Sequence, residues 1–172
     1  GIGPSSSHTM GPMIAAGRFL DELASGAFPL PAGAHVSRLR ASLHGSLAFT
    51  GVGHATDRAV ALGLAGHLPH SVDADAMDAI LDDIRSTRQV QPAGHPAYAF
   101  DFDADIVFDM VNALPGHANG MIIWAEDGDG AKLLSRTYYS VGGGFVVSEE
   151  ELNSQEVITK DAKPRADVPY GF

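Results

Sequence analysis

The stretch that most constrains the fold lies late in the chain. Gly120 to Glu126 and Ala131 to Ser140 read as the two strongest strands, and Asp127-Gly-Asp-Gly130 between them carries the chemistry of a tight hairpin turn. A hairpin this long must bury one face, and the cover for it lies earlier. In Met13 to Leu23 the apolar residues Met13, Ala16, Phe19, Leu20 and Leu23 form one stripe at helical spacing. Met77, Ile80, Leu81 and Ile84 form another behind a capping Asp73, with Asp75, Asp78, Asp82, Asp83 and Arg85 toward solvent. Between them His54 to Gly66 is rich in alanine and leucine on most sides, as a well-buried helix is. His35 to Leu43 alternates like a strand with one buried face. Ala97 to Asp101 and Asp105 to Phe108 read as short strands or an irregular hairpin, and Phe145-Val-Val as a further strand. Gly45 to Gly53 reads as a glycine-punctuated turn and residues 90 to 97 as a loop. The expectation is an α+β fold, three helices on a mixed, mainly antiparallel sheet.

At 172 residues the chain is long enough for one domain with a real core. Its net charge of −10 argues against a nucleic-acid backbone or an anionic membrane as partner. With no long apolar run and no signal peptide, the expected compartment is the cytoplasm. There is no cysteine, hence no thiol nucleophile and no thiolate ligand for a metal or cluster in this sequence. From Ser148 the composition turns acidic and then proline-rich, so residues 149–172 read as an exposed linker behind a domain of residues 1–148.

The first dozen residues, Gly1-Ile-Gly-Pro-Ser-Ser-Ser-His-Thr-Met-Gly-Pro12, stand directly before the first helical stripe. Pro12 lacks an amide hydrogen and belongs in a first turn, so the helix begins near Thr9 to Gly11, with Thr9 a candidate cap. Ser5, Ser6, Ser7 and His8 then sit before a helix N-terminus, where free amides and the dipole suit a carboxylate or phosphate. His8 adds a group able to move a proton near neutral pH. The bland reading is a serine-rich cap on an ordinary helix.

Three further constellations stand out. His54 follows Gly51-Val-Gly53 at the start of the second helix, with Asp57 three residues on. Pro115-Gly-His-Ala-Asn-Gly120 offers His117 and Asn119 to a ligand, or is turn chemistry only. Tyr138-Tyr-Ser-Val-Gly-Gly-Gly144 puts Tyr138 and Tyr139 on opposite faces, so at most one reaches a pocket. Its triple glycine, centred on Gly143, suggests close approach of the backbone to a ligand, another chain or a larger enzyme, and with it a homodimer or higher oligomer. Asp127-Gly-Asp-Gly130 lacks the further oxygens of a calcium loop, and no histidines pair at metal-ligand spacing.

The motifs at 1–12, 51–57, 117–121 and 138–145, in that order, closely resemble the β domain of bacterial iron–sulfur L-serine dehydratases over almost all of residues 1–148. The resemblance implies deamination of L-serine to pyruvate and ammonia, with a [4Fe–4S] cluster held by a separate α domain or α chain as the Lewis acid at the serine hydroxyl. It implies that Ser5, Ser6, Ser7 and Thr9 hold the substrate carboxylate, that His54 removes the α-proton, and that His8 is a second histidine in the pocket. His117, Asn119, Gly143 and one of Tyr138 and Tyr139 would lie near the substrate. The tail from Asp167 to Phe172 looks like the start of a junction to the α domain, with Gly171 where the family usually has proline. Because the chain opens on Gly1 without a lead-in, a longer natural chain is expected. The rival is a regulatory amino-acid-binding domain, which needs the carboxylate site but no base.

Overall fold

The computed structural model describes residues 8–51, 55–71 and 73–154. Its helices are α1 (Met10–Ser25), α2 (Ser46–Gly51), α3 (Thr56–Leu64) and α4 (Ala74–Thr87), and residues 149–154 are also helical. Its strands are β1 (Arg38–Gly45), β2 (Gln89–Val90), β3 (Tyr98–Ala99), β4 (Ile106–Asp109), β5 (Asn119–Glu126), β6 (Lys132–Gly142) and β7 (Phe145–Ser148). The α+β expectation holds, with more helix than the three segments anticipated.

The hairpin β5–β6 is the centre of the sheet, whose order is β2-β3-β1-β5-β6-β7 with β4 also on β1. Its turn is closed by Asp127, whose Oδ1 accepts from the amides of Asp129 and Ala131, each at 2.9 Å. β1 lies antiparallel to β5, from Arg38 opposite Glu126 to Gly45 opposite Asn119. β3 and β4 do not form a hairpin. Both run parallel to β1, β3 beside Arg38 and β4 beside Ala41 to His44. Asp105 sits between them and pairs with Arg38 and Arg40 of β1.

Alternation divides the sheet as the pattern of β1 requires. Leu39, Ala41, Leu43, Met121, Ile123 and Tyr138 join one core with Phe19 of α1 and Val60 of α3. On the opposite face Trp124 lies between Arg40 and Lys132, whose charged groups are 5.5 and 4.5 Å from its ring, and its Nε1–H donates to Glu126 at 2.8 Å.

Two segments depart from the sequence reading. The glycine-punctuated stretch is not all turn. After Gly45 the amide of Ser46 donates to Ala118 O at 2.8 Å, and α2 follows with Leu47 and Ala48 fully buried. The acidic run after Ser148 begins as helix. Ser148 Oγ accepts from the Glu151 amide at 3.1 Å while Glu151 Oε1 accepts from the Ser148 amide at 2.9 Å, a reciprocal cap. Glu151 also pairs with Arg18 of α1, and Glu150 with Arg136 of β6, both at 2.8 Å. Residues 155–172 lie outside the described part. Among the described residues no helix is long and apolar enough to cross a membrane.

Candidate functional site

α1 begins where Pro12 requires. Thr9 occupies the N-cap position, yet its side chain makes no capping bond to the first turn. The Met13 amide donates to Thr9 O at 3.1 Å, and Pro12 has no amide hydrogen. Met10 and Gly11 are therefore the first-turn residues whose N–H groups have no acceptor within the helix. They point out of its positive end.

α3 runs beside α1 in the same direction. A Cβ added to Gly63 would lie 2.5 Å from Met13 O and 2.6 Å from Ala16 Cβ, so the helices touch backbone to backbone there. Further along, Gly17 and Asp21 share a cleft with Gly66 and Leu68. Parallel packing puts both N-termini at one end of the molecule. They open on a common cavity of about 300 Å³, lined by Met10, Met13 and Met77 together with Arg58, His70 and Asp78, with Thr9 and Ala55 at the two helix starts. Ala55, the N-cap of α3, has a left-handed φ of 75°.

The end of β6 closes against the same turn. A Cβ on Gly11 would fall 1.9 Å from Ser140 Oγ, so the first turn of α1 rests directly on that hydroxyl. Gly142, Gly143 and Gly144 have φ of 110, 61 and 82°, which glycine alone adopts without strain, and they carry the chain around Met10 and Ile14. Asn119 Nδ2 donates to Ser140 O at 3.2 Å, and the Asn119 amide donates to His117 Nδ1 at 3.0 Å.

Thr9 and Asn119 are thus brought to the start of α1, and half-buried His8 immediately precedes Thr9. Gly144 rather than Gly143 lies against Met10 and Ile14, while a Cβ on Gly143 would meet the Phe145 ring. His117 is turned onto the backbone of its own loop. Tyr138 and Tyr139 do face opposite sides of the sheet, but both are fully buried. The Tyr138 hydroxyl donates to Glu22 at 2.5 Å, and burial followed by the Glu22 charge pushes it well above the usual phenol range. The Tyr139 hydroxyl accepts from the Gly116 amide at 3.3 Å, and neither ring lines the cavity. Ser5, Ser6, Ser7 and His54 lie outside the described residues. Sequence reading passed over Ser140 and Gly11. The signal for Ser140 was its alternation: it shares the inward face of Tyr138, an unusual place for a serine.

The family profile of the serine dehydratase beta chain matches residues 1–151. The chain belongs to that family. It is 45% identical over 161 residues to an L-serine dehydratase of Streptomyces coelicolor, covering 94% of this chain and 34% of the relative. It is 44% identical over 175 residues to the L-serine dehydratase TdcG of Escherichia coli, covering all of this chain and 36% of the relative. An L-serine dehydratase of Haemophilus influenzae is 40% identical over 174 residues, 36% of its length. The serine dehydratase beta chain therefore spans about a third of the curated relatives it matches.

Proposed function

We propose that this chain is the β part of an L-serine ammonia-lyase. In this reading it binds the substrate carboxylate at the start of α1 and supplies His54 as the base for the α-proton. The observation that carries the reading is the shared cavity of two parallel helix starts. Thr9, the last residue of the serine-rich motif, and Ala55, the neighbour of His54 in sequence, line the same space. An anion at the Met10 and Gly11 amides meets two donors and the positive end of a helix dipole. Arg58 in the lining adds a positive charge that favours the anion, against the opposing charge of Asp78. Proton removal beside a bound carboxylate needs a base tuned near neutral pH, which histidine is. Ser5, Ser6, Ser7 and His8 add donors before the same turn in sequence, and Asn119 acts behind it as a support through the Ser140 carbonyl.

Loss of hydroxide needs an electrophile, and the residues of this chain do not fit the implied [4Fe–4S] cluster. The sequence has no cysteine, and among the described residues no three His, Asp or Glu side chains gather to hold a metal ion. The proposal therefore assigns the cluster to an α domain or α chain. A homo-oligomer in the cytoplasm is part of the same proposal, and exposed Val141 and Phe145 beside the glycine turn support its oligomeric part.

Titration of the chain with L-serine, followed through the Met10 and Gly11 amide resonances, tests the reading. Specific shifts of those two amides support it. Saturation with L-serine that leaves them unmoved overturns it.

A further inference from the structure

Two buried hydroxyls among the described residues have no hydrogen-bond partner. They are Thr56 Oγ1, on the first residue of α3, and Ser140 Oγ, at the end of β6. Their residues are 0% and 2% exposed. Buried hydroxyls are nearly always paired, so each exception calls for a physical reason. Both lie at the helix starts that the candidate site is built from.

Ser140 has a defined aim. Its Oγ lies where a side chain on Gly11 would stand, 1.9 Å from the position of that absent Cβ. Asn119 Nδ2 donates to the Ser140 carbonyl at 3.2 Å, and the register of β6 against β7 shifts between Ser140 and Gly142. The inward neighbour Tyr138 is no substitute, because its hydroxyl is engaged by Glu22. Ser140 therefore offers an unused O–H against Gly11 in the first turn of α1, where bulk water does not compete for it. Two backbone amides and a hydroxyl on one helix turn are donors of the kind a carboxylate takes.

We propose that Ser140 is a third carboxylate donor of the site: its hydroxyl bonds the same anion as the amides of Met10 and Gly11, and residue 11 is glycine so that the hydroxyl can approach the turn. The ligand class is a small carboxylate, an α-amino acid on the reading above, on which this inference rests.

The test uses the whole 172-residue chain. Affinities for L-serine, for acetate as the minimal carboxylate and for ethanolamine as the carboxylate-free control are measured for the wild type, Ser140→Ala and Ser140→Cys. The expected result is a loss of about tenfold or more for L-serine and acetate in both variants, since a hydrogen bond to a charged group is removed or weakened. Ethanolamine binding should not change between variants. Melting temperatures should hold or rise in Ser140→Ala, because an unpaired buried hydroxyl is removed. A merely structural serine would lower the melting temperature and leave the affinity ratios unmoved. The cysteine variant fills the site with a weaker donor, so it answers the question if the alanine variant fails to fold. Wild type that binds L-serine with variants of equal affinity overturns the role of Ser140 and leaves the α1 site standing. Wild type that binds neither L-serine nor acetate overturns the site itself and Ser140 with it.

Discussion

Arg136 Nε donates to Glu22 Oε1 at 2.9 Å, joining residues 114 positions apart, and through them β6 to α1. The same carboxylate accepts from the Tyr138 hydroxyl at 2.5 Å and from Arg18 Nε at 2.9 Å. Arg136 in turn lies 4.0 Å from the Phe28 ring and bonds Glu150 at 2.8 Å. α1 and β6 thus meet at one carboxylate, and the helical residues 149–154 join through Glu150 on Arg136 and Glu151 on Arg18. The cluster ties α1 to β6 toward the end of the helix, as the Gly11–Ser140 contact does at its start.

Arg136→Met should therefore be costly, because it leaves Glu22 largely enclosed without its cationic partner from β6. Breaking one side of such a pair is worth about 2–4 kcal/mol here, somewhat below the fully buried range. For a domain of this size that is a fall of roughly 5–15 °C in melting temperature. A double-mutant cycle with Glu22→Gln should show strong coupling. Additive losses in the cycle would mean that the pair does not act as a unit.

The cluster also predicts a pH dependence. Burial by itself raises the Glu22 carboxyl, but the hydrogen bonds from Arg136, Tyr138 and Arg18 outweigh it and hold the group below its ordinary 4.5. A depressed folded-state value contributes stability that is complete above the unfolded value. It is lost as pH falls through the folded one. Glu151 behaves alike, held down first by Arg18. Melting curves of the wild type and Glu22→Gln should thus differ most near neutral pH and converge below about pH 4.5. A gap that stays constant down to pH 3 would show that the Glu22 charge is not what the fold uses.

Three glycines separate helix propensity from packing. Gly17 lies inside α1, and a Cβ there would meet nothing within 4 Å. Gly17→Ala should stabilise by about 0.5–1 kcal/mol through backbone entropy alone. Gly63→Ala places the same methyl 2.5 Å from the Met13 carbonyl, and Gly11→Ala places it 1.9 Å from Ser140 Oγ. Both should destabilise by about 1–3 kcal/mol despite better helix propensity. Thermal melts of the three variants should give one rise and two falls. Three rises would refute the close approach of α1 to α3 and to β6.

Much of this fold was legible because its signals are local. The Asp127 turn, the Asp73 cap, which accepts from the Ala76 amide at 2.8 Å, and the stripe from Met77 to Ile84 each need only a few neighbouring residues. The parallel pairing of β3 and β4 with β1 was not legible, since strands of two and four residues carry no register of their own. The Ser148–Glu151 cap was written in the sequence as serine followed three residues later by glutamate, and the acidic composition around it hid the signal. At the site, the helix start and its serines were readable from Pro12. That Ser140 would lie against Gly11 was not, because the contact joins residues 129 positions apart through the sheet.

The proposed division of labour between the α1 start and His54 has a kinetic signature in an assembled enzyme. A base acts in the transition state, so His54→Ala should lower kcat by about 10²–10⁴ and leave KM less affected. Donors to the carboxylate act in ground and transition states alike, so Ser6→Ala, Ser7→Ala or Ser140→Ala should chiefly raise KM. Washout of the serine α-deuterium into solvent isolates the proton-removal step. It should fall with kcat in His54→Ala and persist at saturating serine in the serine variants. The regulatory alternative makes the opposite forecast, because a sensing domain needs the carboxylate site and no base. If His54→Ala turns over serine at the wild-type rate while only the response to bound amino acid changes, this chain senses serine and the base lies elsewhere.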